Sequence, residues 1–153
     1  MDVRIHETTT RAEADPLVEP IESYLAQVTS DFRDGRLPAG SGAALLDRVF
    51  DAPEGLVLVA TAPESGTRLG MCVIAPFREP LLDESLPIVA VLSAHPDQRH
   101  RGLAKQLIEV ASRTLAARGF ERLGALVGHN DDALISMGER WGFVRVWEFM
   151  LRE

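Results

Sequence analysis

One cysteine, Cys72, stands in a chain of 153 residues. A lone cysteine excludes an intrachain disulfide and a cysteine-rich zinc site. Lysine occurs once, as Lys105, tyrosine once, as Tyr24, and aromatic residues make up only 6%. Long hydrophobic runs are missing too. Stretches such as Leu56 to Ala60 and Ile88 to Leu92 are about five residues long, far short of the ~18 needed to span a bilayer. The opening segment MDVRIHETTTR has no apolar stretch, so it does not read as a secretory signal, and a cytoplasmic location with no membrane partner is expected. No internal repeat, low-complexity tract or long linker interrupts the chain, so residues 1–153 are expected to form one domain.

What is present is the balance of an ordinary globular protein, with 46% hydrophobic and 25% charged residues. The formal net charge is −7, unevenly spread. Residues 1–97 carry 7 basic and 16 acidic side chains, whereas residues 98–153 carry 9 basic and 7 acidic ones. The densest positive stretch is Arg99, His100, Arg101 and Lys105. An acidic chain with one local basic loop is poorly suited to nucleic acid, but suits a single small polyanion.

Periodicity divides the chain into elements. Val3 to Ile5 reads as a short strand. Leu17, Val18, Ile21, Leu25 and Val28 recur at helical spacing, with Asp15 as the expected N-cap and Pro16 in the first turn. A second helix starts at Ser41 or Gly42 and ends before Pro53-Glu54-Gly55. Leu56 to Thr61 and Leu69 to Phe77 form an expected hairpin, and Ile88 to Ser93 is a strand apolar on both faces. A long helix from about Arg101 to Ala117 follows, with Gly119 closing it. Leu123 to Val127 is a strand, Asn130 or Asp131 caps a short helix that ends at Gly142, and Val144 to Leu151 is the last strand. The order predicts an α/β fold with a mixed, mostly antiparallel central sheet and helices on both faces. The strand–helix–strand unit from 88 to 127 is expected to be parallel and right-handed.

The junction after Ser93 carries the most chemistry. It reads Ala94-His95-Pro96-Asp97-Gln98-Arg99-His100-Arg101-Gly102-Leu103-Ala104. A buried strand turns through a loop into a helix that begins on a glycine between cations. Free N–H groups and the helix dipole concentrate positive potential there, and a glycine lets a ligand approach the backbone. This is how a phosphate cradle is built.

The same residues resemble the GNAT superfamily of acyl-CoA-dependent N-acetyltransferases. Arg99 to Ala104 matches that family's [Arg/Gln]-x-x-Gly-x-[Gly/Ala] segment at every fixed position, with His95-Pro96-Asp97 as the usual lead-in. Asn130, Ala133 and Trp141-Gly142-Phe143 fit a second segment. The resemblance implies acetyl transfer from acetyl-CoA to a primary amine of a small acceptor, by direct attack. It implies that Arg99, His100, Arg101, Gly102, Leu103, Ala104 and Lys105 hold the CoA pyrophosphate. Leu92, Ser93 and Ala94 would pair with pantetheine and polarise the thioester carbonyl, and Asn130 would bond the pantetheine arm.

The chain departs from the family where many members carry a proton-donating tyrosine, in the helix after Asn130. That position falls on Met137 or Gly138, and neither donates a proton. Ser136 is the nearest hydroxyl and the candidate acid, and Glu79 is the candidate base. His95 and His129 sit at strand ends. No histidine pair has metal-ligand spacing, so no metal is expected. The missing tyrosine leaves a rival reading open, an acyl-CoA-binding sensor with little or no turnover. A homodimer through the last strand and Trp147 is a further expectation.

Overall fold

The computed structural model describes residues 2–30, 36–98, 101–128, 130–146, 150 and 152. Five strands form one sheet: β1 (Arg4–Glu7), β2 (Leu56–Thr61), β3 (Arg68–Arg78), β4 (Ser85–Ala94) and β5 (Gly124–Ala125). They lie in the order of the chain. β1 to β4 are antiparallel neighbours, and β5 runs parallel to β4. Four helices are described: α1 (Val18–Val28), α2 (Ser41–Asp51), α3 (Leu103–Ala117) and α4 (Asp132–Arg140). The mixed, mostly antiparallel sheet therefore stands as expected.

Both faces of the sheet are covered, which explains why β2 and the middle of β3 are apolar on both faces. Val57, Val59, Met71, Val73 and Ala75 face one layer with Leu17 and Ile21 around α1 and Leu45, Leu46 and Val49 of α2. Leu56, Leu58, Cys72 and Ile74 face the other, against Leu103, Leu107, Ile108, Ala111 and Leu115 of α3. Those five form one stripe of an amphipathic helix whose opposite side exposes Lys105, Glu109 and Arg113. Each fully buried aliphatic side chain contributes roughly 1.5–3 kcal/mol.

Several local expectations are corrected. Asp15 does not cap α1. A 3-10 turn, Asp15–Leu17, precedes the helix, and the Asp15 carboxylate instead pairs with Arg11. The second helix does start at Ser41, as expected, after a left-handed Gly40, and the Ser41 hydroxyl donates to the Pro38 carbonyl. β5 is a two-residue strand where five residues were expected. Residues 144–146 belong to no strand; part of the expected last strand, with Trp147, lies outside the described residues, as do Arg99, His100 and His129.

One feature of register shapes the functional end. Val73 pairs with Val91 but Ile74 pairs with Val89, so Ala90 is an extra residue in β4. The bulge puts both Ala90 and Val91 on the α1 side of the sheet. Beyond Val89 no described residue of the β5 side pairs with β4. The two strands part there, and Val91 to Ala94 are paired on the β3 side only.

Candidate functional site

The parting of β4 and β5 leaves backbone groups without a strand partner. The His95 N–H donates to the Leu69 carbonyl at 2.7 Å, toward β3. N–H directions alternate along a strand, so the Leu92 and Ala94 amides face the opposite, open side. An extended polar chain laid in this opening meets a row of donors and acceptors.

The loop after Ala94 opens on a tight turn. Pro96–Gln98 makes one 3-10 turn, the Gln98 N–H donates to the His95 carbonyl, and the Arg101 N–H donates to Gln98. The His95 ring is exposed and accepts the Asp97 N–H through Nδ1 at 3.3 Å, a contact inside the loop. Gly102 caps α3 with φ 81°, a conformation that favours glycine, and nothing lies within 4 Å of where its Cβ would be. Among the described residues, none accepts from the Leu103, Ala104 or Lys105 amides. The first N–H groups of a helix have no acceptor within the helix itself. Arg101 and Lys105 are exposed beside them, with Lys105 3.6 Å from Glu109.

Close packing brings this helix start against the open strand. A Cβ on Gly70 would stand 2.8 Å from the Ser93 carbonyl oxygen and 3.1 Å from Leu103. Only glycine at that place in β3 lets α3 lie this near β4. A groove of about 350 Å³ continues along α3, lined by Lys105, Ile108, Glu109, Ser112, Arg113 and Trp141.

The other expected residues are placed as follows. Asn130 is exposed in the turn before α4, and the cap is Asp131, whose Oδ1 accepts the Leu134 N–H at 3.0 Å. Asn130 is thus free of the capping role. Ser136 is exposed on α4. Glu79 does not reach the opening. It is buried just after the far end of β3, where its two carboxylate oxygens accept the Leu81 and Leu82 N–H groups. Leu92 pairs with Cys72, six residues before Arg78, which puts Glu79 roughly 20 Å away along the strand. A carboxylate held by two amides at that distance orders its own loop and is not poised as a base.

Tyr24 is the residue that the sequence reading passed over. It continues the Leu17–Ile21 stripe of α1 and packs, half-buried, against the cluster that contains Val91. Burial pushes its hydroxyl up from the ordinary range. The Leu92 backbone amide, bonding the phenol oxygen, pulls it back, and the nearby charges of Asp131 and Cys72 raise it further. A hydroxyl on a buried helical face was the signal that marked it. Cys72 itself is sealed in the core, and burial pushes its thiol up to about 12, so it is no nucleophile.

The family model described as the acetyltransferase (GNAT) family matches residues 21–143. An acetyltransferase of Sodalis glossinidius (strain morsitans) is 43% identical over 49 residues, 32% of this chain and 34% of that protein. An uncharacterized N-acetyltransferase of Yersinia pestis matches at 43% over 49 residues, 32% of this chain and 35% of its own. The match thus spans about a third of the length of these curated relatives. Among solved structures, the chain resembles AAC(6')-Iy in complex with the bisubstrate analog CoA-S-monomethyl-acetylneamine (TM-score 0.69, 15% identity, 100% and 98% of the two chains). It also resembles the ribosomal-protein-alanine N-acetyltransferase from Brucella melitensis biovar Abortus 2308 (TM-score 0.66, 18% identity, 99% of each chain). At these identities the likeness is one of fold.

Proposed function

The chain belongs to the GNAT acetyltransferase family, and from that premise we propose that it transfers the acetyl group of acetyl-CoA to a primary amine of a small acceptor. One observation carries the reading. The unpaired half of β4 ends against a glycine-led helix start, held close by Gly70. The two features suit the two parts of one ligand. The Leu103, Ala104 and Lys105 amides, with Arg101 and Lys105, receive the pyrophosphate, and Arg99 and His100 belong to the same segment. The open edge along Leu92, Ser93 and Ala94, where the Leu92 and Ala94 backbone groups face outward, receives the pantetheine amides, and Asn130 is free to bond that arm. An N–H on this edge stabilises the oxyanion that forms when the thioester carbonyl is attacked.

Holding the thioester beside an acceptor site makes attack effectively intramolecular, and no covalent enzyme intermediate is needed. The acceptor is read as small and cationic. Residues 1–97, which include α1, α2 and most of the sheet, carry a net charge of −9, and such a field draws amines in. A neighbour in fold is complexed with an acetylneamine-bearing bisubstrate analog, which agrees with this class. Among the described residues, no group of three or more His, Cys, Asp or Glu stands ready to hold a metal, and no helix is long and apolar enough to cross a membrane.

The test is thermal melting with acetyl-CoA, followed by an amine panel read through release of free thiol. A rise in Tm and thiol release with one class of amine are the expected results. Binding with no release on any amine replaces catalysis by a sensor role, and no binding removes the reading altogether.

A further inference from the structure

Departure of the thiol is the step for which the expected residues supply least. A thiolate expelled from a thioester must gain a proton. Met137 and Gly138 have none to give, and Ser136 is exposed on α4. Tyr24 is differently placed. It reaches from α1 over the bulged stretch of β4, its oxygen beside the Leu92 amide, on the side where β5 has parted from β4. Asp131, at the start of α4, is near enough for its charge to raise the Tyr24 titration, and Cys72, on the other face of β3, acts in the same direction. The Leu92 N–H lies near enough to the phenol oxygen to pull its titration down, and the raised titration leaves the O–H in place to be donated.

We propose that Tyr24 is the proton donor to the leaving sulfur, a catalytic residue supplied by α1 rather than by α4. The assignment rests on the acetyl-transfer reading above. The lone pair of a neutral amine forms the new N–C bond, and the C–S bond breaks with its electron pair going to sulfur. The Tyr24 proton passes to that sulfur, giving the free thiol. The extra proton on the new amide nitrogen returns through water to the phenolate, so tyrosine is restored and no proton is gained or lost overall. While the phenolate exists, the Leu92 N–H stabilises it. Since burial keeps the hydroxyl protonated at neutral pH, the donor is present before the reaction starts.

Tyr24 is the only tyrosine, so an alkaline absorbance titration of the phenol reads this one side chain in the unmodified protein. The titration is run with no ligand, with CoA and with desulfo-CoA. A bound thiolate beside the phenol raises its titration by about one pH unit or more, and the ligand without sulfur does not. Tyr24→Phe is expected to lower kcat about 10²-fold, with KM for acetyl-CoA nearly unchanged and the basic limb of the kcat profile lost. Ser136→Ala serves as the comparison and is expected to leave that limb in place. If CoA and desulfo-CoA both raise Tm yet give the same tyrosine titration, the donor assignment falls while the binding reading stands. Full kcat in Tyr24→Phe overturns it equally. If neither ligand raises Tm, the acetyl-CoA reading fails and takes the assignment with it.

Discussion

Ser85–Val89 and Ala90–Ala94 are halves of one strand with opposite surroundings. The first half is closed on both edges, by β3 and, at Ile88 and Val89, by Gly124 and Ala125 of β5. A Cβ on Gly124 would lie 3.1 Å from Ile88 and Leu86 side chains, which shows how tightly this end is packed. The second half is closed on one edge only. Its amides face an opening bordered by Tyr24, Asp131 and the start of α3. The residue types in the two halves hardly differ. What differs is pairing: the bulge at Ala90 turns the strand, β5 ends after two residues, and hydrogen-bonding capacity that would have built sheet becomes available to a ligand.

Four substitutions or titrations test whether the closed end serves stability and the open end serves binding. The largest effect is expected at the closed end. Ile74, fully buried and paired with Val89, anchors the α3 face. Ile74→Ala should cost about 2–5 kcal/mol in denaturant unfolding, while the folded fraction binds acetyl-CoA with nearly its original affinity. A large loss of affinity in the folded protein would mean that the two halves are coupled.

At the open end the order reverses. Gly102→Glu puts a carboxylate and a strained left-handed side chain at the helix start. At a hundred times its dissociation constant, acetyl-CoA should stabilise the native protein by about 2.7 kcal/mol, and the variant should lose nearly all of this. Retention of the ligand-induced rise in Tm would move the phosphate site elsewhere.

The third test uses pH. The Cys72 thiol holds its proton to about 12 in the folded chain, against an ordinary value of 9.0. This raised value contributes stability that is complete below pH 9.0 and is lost as pH climbs toward about 12. The slope is about 1.4 kcal/mol per pH unit in that window. Urea unfolding at several alkaline pH values should show a shallower decline in Cys72→Ala than in the parent. Equal slopes would mean that the thiol is not sealed as the packing indicates.

Glu79 gives the smallest expected effect and the sharpest contrast. Glu79→Gln keeps one acceptor for two loop amides and should cost about 1 kcal/mol of stability. Acetyl transfer should change little. A fall in kcat of ~10² at unchanged Tm would return this carboxylate to the reaction.

Much of the architecture was legible in the sequence. The β2 limits, the β2–β3 hairpin, the α3 stripe and the closing glycines, Gly119 and Gly142, appear where patterning put them. Burial on one face of a helix or on both faces of a strand leaves a periodic trace that can be counted. The glycine-led helix start was equally readable, because its chemistry is local to about ten residues. Asp15 misled because a carboxylate before a proline is as well satisfied by Arg11 as by a helix end. Glu79 misled because its distance from the opening depends on where β3 ends.

Residue order alone determined β1 to β4 and the four described helices, the layering, and the backbone cradle at Gly102, since each follows from short-range propensity and hydrophobic period. Only the tertiary structure decided which part of β4 stays unpaired, how near α3 comes to it through Gly70, and that Tyr24 crosses from α1 to the Leu92 amide. These depend on register, on a one-residue bulge and on contacts between residues far apart in sequence. Side-chain pattern scarcely records them, because either register would bury nearly the same apolar surface.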